Sequence, residues 1–440
     1  MTENKKSSFW NSITVKLVII GLLTLILLIP GSMLKNLIEE RQNRRDEVIT
    51  EINSKWGDSQ TLTGPIISVP YKKYHKEDDK MITTLHHAHF LPEKLNIDGK
   101  LTPETRYRGI YKVVVYNTLL HFKGSFKKPD FESWNINEKN IIWKDAVLCL
   151  EIPDMRGINK SIKIELNDKK YNVNPGIPVK DLIHTGVHTP IEISEDTSWN
   201  YDFTLNLNGS ESLNFTPVGK ITKVNLKSDW TNPSFDGSFL PDDRNVDENG
   251  FTAEWKVLHL NRNYPQKWLD REYDPDESEF GTKLLIPVDH YQKSYRSVKY
   301  AIMFIALTFI TFFFSEILNK KKIHPIQYLL TGLSLCIFYT LLISLSEHIG
   351  FNYSYLISSV AIIGLIASYY HSVVKKRKAT LIITILLIVL YVFLFTIIQL
   401  QEYSLLMGSI GLFIVMAAIM YLSRNIDWYA PMVNKEKEAT

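Results

Sequence analysis

Residues 297–351 read SVKYAIMFIALTFITFFFSEILNKKKIHPIQYLLTGLSLCIFYTLLISLSEHIGF, and the architecture of the whole chain hangs from them. It contains two apolar runs, Val298–Leu318 and Tyr328–Ser346. Each is about 20 residues long, what an α-helix needs to cross roughly 30 Å of hydrocarbon. The link between them carries Lys320, Lys321 and Lys322, followed by His324-Pro325, which reads as a helix stop. So short a link holds no soluble domain, so the two runs form an antiparallel helical hairpin. Three clustered lysines place the link on the cytoplasmic side of a membrane.

Three more apolar runs follow, Ser354–His371, Ala379–Ile398 and Ser404–Leu422, and one precedes, Ile13–Leu34. Loop charge tests the resulting count of six spans. With the N-terminus cytoplasmic, residues 35–297 lie outside and the lysine link inside. The loop Glu347–Tyr353 has no Lys or Arg and lies outside. Lys375, Lys376, Arg377 and Lys378 then fall inside, Gln399–Tyr403 outside, and the tail with Arg424, Lys435 and Lys437 inside. The first run carries only Lys16, read as snorkelling from the helix start. A cleaved signal peptide competes for this run, but its apolar core is long and no A-x-A-like site follows Pro30-Gly31-Ser32, which favours an uncleaved signal anchor. Trp10, Tyr328, Tyr421, Trp428 and Tyr429 read as interfacial aromatic anchors.

The polar insert opens with Leu37–Trp56, rich in Glu, Arg and Asn, which reads as a polar helical stalk. Between Thr61 and Pro287 the pattern is β. Apolar residues alternate at Ile162-Ile164-Leu166, Phe203-Leu205-Leu207 and Phe251-Ala253-Trp255-Val257. Gly109 and Gly124 read as bends in a long strand segment over Arg106–Phe126. Asp98-Gly99, Asn208-Gly209, Asp236-Gly237 and Asn249-Gly250 read as hairpin turns. Two packed antiparallel sheets are the economical architecture. The expected fold is therefore a polytopic membrane protein. It has six transmembrane α-helices and a large extracytoplasmic, antiparallel, sandwich-like β domain inserted between helices 1 and 2. The parts are a stub and signal anchor over 1–34, the periplasmic domain over 35–297, a five-helix block over 298–422 and a cytoplasmic tail over 423–440.

Averaged composition conceals this organisation. The 440 residues are 45% hydrophobic and 22% charged, with a formal charge of +3, figures that suit a soluble protein because the apolar residues are concentrated at two places. That charge gives no reason to expect nucleic acid. Of two cysteines, Cys149 lies in the insert and Cys336 in a predicted span, so the insert has no internal disulfide framework.

No Asp, Glu, Lys or Arg lies near the middle of a predicted span, whereas ion-coupled transporters and pumps usually keep such residues there. Glu316 sits near a cytoplasmic end, one turn before Lys320, as an interfacial charge. Glu347 and His348 sit at an outer helix end and face the side of the insert; a role coupling the two parts is the one site expectation, with Arg41, Lys293 and Arg296 as available basic partners. His86, His87 and His89 cluster on a strand, with His184 and His188 as further imidazoles, but no adjacent carboxylate or Cys completes a metal-binding spacing. Surface or half-buried histidines are the expectation. Asp154-Met155-Arg156-Gly157 reads as a structural turn with an ion pair. No G-x-S-x-G, phosphate loop, CxxC or HExxH is present, so no catalytic, cofactor or metal residues are assigned.

The stretches SVKYAIMFIALTF, IHPIQYLLTGLSL, LSEHIGF and RNIDWY (Arg424–Tyr429) resemble the CreD family of bacterial inner-membrane proteins, also called cell envelope integrity proteins. TGPIISVPY, FLPEKLNIDG, IYKV, DMRGI, GVHTP and NPSFDGSFLP in the insert are similar to the same family. The resemblance is collinear over roughly residues 9 to 430. It implies a plasma-membrane protein tied to envelope integrity and envelope stress, expressed in some bacteria under a two-component system. It brings no catalytic mechanism, cofactor or ligand. The expectation is a non-enzymatic protein of the lipid bilayer that presents a periplasmic surface to an envelope protein or lipid; lipid or small-molecule handling, or sensing, are the alternatives.

Overall fold

The computed structural model describes residues 13–77, 80–179, 181, 185–193, 198–286, 290–319, 321–400 and 403–424. Lys5, Lys6, Trp10, His184, Lys320, Trp428, Tyr429, Lys435 and Lys437 lie outside them. The chain divides into two compact units, Asp46–Pro287 and Met1–Arg45 with Val288–Thr440.

In the second, membrane-type unit, α1 (Ile13–Ile26) and α2 (Leu28–Trp56) follow each other almost without a break. Pro30 has no N–H to give the carbonyl of Ile26, and the helix is interrupted at Leu27, one turn earlier. The pair forms one 43-residue span, Thr14–Trp56, about twice what a bilayer needs. Its last turns, from Asp46 on, belong to the β unit.

The chain re-enters through α3 (His290–Lys299) and α4 (Ala301–Asn319), bent by 45° against each other. The expected span begins at Val298; the helix begins eight residues earlier. No proline or glycine marks the bend. It falls where polarity changes: α3 buries Tyr291, Ser294, Ser297 and Val298 on one face and carries Lys293, Arg296 and Lys299 elsewhere, whereas α4 carries no charged residue before Glu316. Tyr300 N–H bonds the carbonyl of Ser297, tightening the turn at the bend.

Next come α5 (Pro325–Ile349), α6 (Phe351–Val374), α7 (Arg377–Gln399) and α8 (Ser404–Ser423). Among the described residues four helices are long and apolar enough to cross a membrane, five if the bent pair is one span, and Leu406–Tyr421 is a shorter apolar helix. His324-Pro325, read as a stop, is instead a start. His324 Nδ1 accepts from Ile326 N–H, Gln327 Oε1 accepts from His324 N–H, and Pro325 takes the first helical position. The expected loop Glu347–Tyr353 shrinks to Gly350, which has φ +78°.

The β unit holds an eight-stranded and a nine-stranded sheet around one apolar core. The eight-stranded sheet runs, edge to edge, Asp243–Asp247, Gly250–Leu258, Ile221–Ser228, Lys94–Arg108, Tyr111–Lys127, Ser198–Ser210, Lys163–Leu166 and Lys169–Asn172. The other is built on Gln60–Glu77, flanked by Val147–Glu151 and Ser212–Phe215 over its first half and paired from Ile67 to Glu77 with Lys80–Phe90. The sheets are not purely antiparallel. Ile221–Ser228 lies parallel to Lys94–Arg108, and Ser212–Phe215 parallel to the start of Gln60–Glu77. Parallel neighbours need long crossovers, and more than a hundred residues separate each pair, a distance at which local turn signals say nothing about direction.

Candidate functional site

Glu347 and His348 lie in the last turn of α5. Glu347 is half-buried; its Oε1 accepts from Tyr291 Oη of α3 at 3.0 Å, and Arg41 Nε of α2 stands 3.9 Å from the same oxygen. Arg45, one turn along α2, holds its guanidinium 5.8 Å from the Tyr291 ring centroid. One carboxylate thus joins three helices of the membrane-type unit: α2, which leads toward the β unit, α3, which follows it, and α5. The hydrogen bond to a charged acceptor is worth about 1.5–3 kcal/mol; the ion pair, with half-exposed Arg41, adds at most about 1 kcal/mol. Lys293 donates instead to Gln399 Oε1 at 2.8 Å, and His348 is exposed.

Glu316, expected at an interface, is 3% exposed. Lys16 of α1 forms an ion pair with its Oε1 and donates to the Ile323 carbonyl at 2.9 Å, and Tyr328 Oη donates to Oε2 at 3.2 Å. So Lys16 does not snorkel, and Tyr328 is a buried partner rather than an interfacial anchor, with Phe309 and Phe312 edge-on to its ring. A buried pair repays its desolvation only when further hydrogen bonds satisfy both ions, and both have them here. Tyr421 is exposed, beneath the guanidinium of Arg424.

In the β unit, the turn Met155–Gly157 is held by Asp154. Its carboxylate accepts from Arg156 N–H, Nε and a terminal nitrogen, and from Asp58 N–H at 2.9 Å. Burial would raise this carboxyl, but the guanidinium and the two N–H groups hold it below the usual carboxylate range. Arg156 also donates to the Ser54 carbonyl, satisfying an orphan acceptor at the C-terminus of α2. Around it, Glu51 pairs with Arg108, Asn53 Nδ2 donates to Glu211 at 3.0 Å, and Trp56 Nε1 donates to the Tyr116 carbonyl at 3.2 Å beneath the Arg106 guanidinium. The DMRG turn is therefore the socket for the end of the long helix.

The histidines divide. His86 Nδ1 pairs with Asp270 at 2.7 Å and His87 Nδ1 with Asp181 at 3.3 Å, both half-buried. His89, on the same strand face as His87, has no exposed surface, and neither ring nitrogen has a partner among the described residues. Burial, then the neighbouring His87, pulls its pKa down to about 4. His188 turns away to the Gly176 carbonyl. Among the described residues no three His, Cys, Asp or Glu side chains converge to hold a metal. Cys149 is a free, buried thiol pushed up to about 12 by burial.

Sequence reasoning missed Lys16, Tyr291 and Asp270. For Lys16 a signal existed: a charge inside an apolar run asks for a buried partner. Nothing local named Glu316, Tyr291 or Asp270.

These polar joints lie in a chain that matches the family model described as Inner membrane protein CreD over residues 12–429. The Inner membrane protein CreD of Escherichia coli (strain K12) is 34% identical over 429 residues, covering 94% of each chain. At that identity and coverage, over apolar helices and β unit alike, the chain belongs to the CreD family of inner-membrane proteins.

Proposed function

We propose that this chain crosses the inner membrane six times with both termini cytoplasmic and residues 35–297 periplasmic. It supports envelope integrity and the envelope-stress response without catalysing a reaction, and the β unit docks an envelope protein. One observation carries this reading. Beyond its pairing with Lys267–Leu269, the strand Lys80–Phe90 continues as a two-stranded arm with Gln60–Glu77. Residues opposite one another share a face, so the registers Lys72–Leu85, Tyr74–Thr83 and Lys76–Met81 gather Leu85, Tyr74 and Met81 on one side. These are 59%, 47% and 68% exposed, flanked by Lys72 and Lys76. Single exposed apolar residues need no explanation, but a group of them on one face is a docking surface. Glu347 and His348 relay between this unit and the membrane helices through α2 and α3.

The test is protection against envelope stress in cells lacking the native protein. A Tyr74→Ser/Leu85→Ser variant inserts and accumulates normally but fails to protect, as does Glu347→Gln/His348→Asn. Full protection by the first variant at equal expression overturns the docking reading; full protection by the second removes the relay. Lipid handling is the second reading, favoured by an apolar groove in the membrane-type unit.

A further inference from the structure

That groove, of about 250 Å³, lies between the first span and the bent helix pair. It begins at Thr24 and follows α1 and α2 to Lys35, while the opposite wall runs from Ile305 back to Lys299, with Cys336 and Tyr339 of α5 also lining it. Eleven helical steps from Thr24 to Lys35 give it a length of about 16 Å. Both walls are interrupted helices, at Leu27 and at Tyr300. The volume falls below that of pockets enclosing a drug-sized ligand, and suits part of one acyl chain.

The two ends of the groove differ. Lys35 and Lys299 lie at the same end: Lys35 Nζ stands 6.0 Å from the ring centroid of Tyr295, one turn before Lys299. Among the described residues no carboxylate lines the groove. Among the described residues neither lysine makes an ion pair. Away from them the lining is almost wholly apolar. Two cations at the mouth of an apolar slot, in helices of a membrane protein, are complementary to a molecule with one anionic end and one hydrocarbon end.

We infer that this groove is a binding site for an anionic glycerophospholipid, one acyl chain lying along α1 and α4 and the phosphate held between Lys35 and Lys299. The site does not depend on what the β unit touches. Basic residues at an anionic headgroup act additively, so losing both weakens retention by roughly tenfold or more. The slot can also be closed without touching charge. A Cβ at Gly31 meets nothing within 4 Å, so Gly31→Leu projects into the groove and favours helix.

The experiment uses the full-length protein in nanodiscs of equal phosphatidylglycerol and phosphatidylethanolamine, released for native mass spectrometry. The wild type retains phosphatidylglycerol over phosphatidylethanolamine. Lys35→Gln/Lys299→Gln loses that preference while melting as the wild type does, and Lys35→Arg/Lys299→Arg keeps it. Phosphatidylglycerol with a photoreactive acyl terminus labels peptides containing Ile305 or Cys336 in the wild type and not in Gly31→Leu. Equal retention of the two lipids by the wild type, unchanged preference in the glutamine variant, or label spread evenly over the outer helix faces overturns the assignment.

Discussion

Glu316 shows how a single side chain changes meaning between sequence and structure. In sequence its nearest cation is Lys320, one turn away; in the fold it is Lys16, 300 residues distant and buried with it. Helical spacing reports only neighbours on the same helix, so no local pattern could name this partner. Removing one member of a buried pair strands the other charge. Glu316→Gln is therefore expected to destabilise the membrane-type helices by about 3–5 kcal/mol, read as a lower melting temperature of full-length protein in detergent, whereas Lys16→Met/Glu316→Met recovers much of the loss. Equal melting of Glu316→Gln and wild type would show that the pair contributes nothing. His89 makes a second case. Its cluster was legible in the sequence; its burial was not, because strand alternation does not say how deep a face lies. With a folded pKa near 4 against an ordinary 6.5, the unfolded chain binds the extra proton. The stability from keeping this ring neutral is thus complete above pH 6.5 and lost as pH falls toward 4, approaching about 3 kcal/mol. Denaturant titrations followed by tryptophan fluorescence should show that loss, and His89→Phe should flatten it; the same slope in the variant assigns the acid sensitivity elsewhere.

At the scale of elements, alternation proved the most readable signal and glycine the least. Along Gly250–Leu258, Phe251, Ala253, Trp255 and Val257 are buried while Thr252, Glu254, Lys256 and Leu258 are exposed, so the sequence chose the core face correctly. Trp255 is 2% exposed, donates to the Phe239 carbonyl at 3.2 Å and packs near Phe235 and Phe280. Trp255→Ala is expected to cost about 3–5 kcal/mol, against about 0.5 kcal/mol or less for Lys256→Ala on the opposite face; similar midpoints in urea for the two variants would contradict this. Of the dipeptides read as turns, Asn249-Gly250 makes its hairpin. Asp98-Gly99 and Asn208-Gly209 instead lie within strands. There glycine is required by what crosses over it: a Cβ at Gly99 would strike the side chains of Leu226 and Leu120, and one at Gly209 the Tyr116 ring. Gly124 likewise is no bend but the place where Tyr201 lies against the strand, while Gly109, at φ +60°, does turn. A missing side chain and a positive φ leave the same letter in the sequence, and only the three-dimensional neighbours separate them.

At the scale of the whole molecule, orientation across the membrane rests on charge. Lys321 and Lys322 follow α4, and Lys375, Lys376, Arg377 and Lys378 lie where α6 gives way to α7. The α5–α6 connection has shrunk to Gly350 and offers no basic residue. Translocating a short loop rich in Lys and Arg is disfavoured, which is why the proposed orientation keeps both basic connections in the cytoplasm. Under that proposal each turn between successive spans reverses direction, and the β unit is expected on the other side. Ser59 and Asn249 in the β unit, and Lys376 before α7, are all solvent-facing, and the two native thiols are buried. Single cysteines at these three sites in a Cys149→Ala/Cys336→Ala background should therefore differ only by compartment. In intact cells with a permeable outer membrane, an impermeant maleimide should label the cysteine at 59 and at 249 but not at 376. After lysis all three should react, which shows that the silent site was sheltered by the membrane and not by folding. Labelling at 376 alone in intact cells would invert the topology, and labelling of all three before lysis would mean that α4, α5 and α6 do not cross as three separate spans.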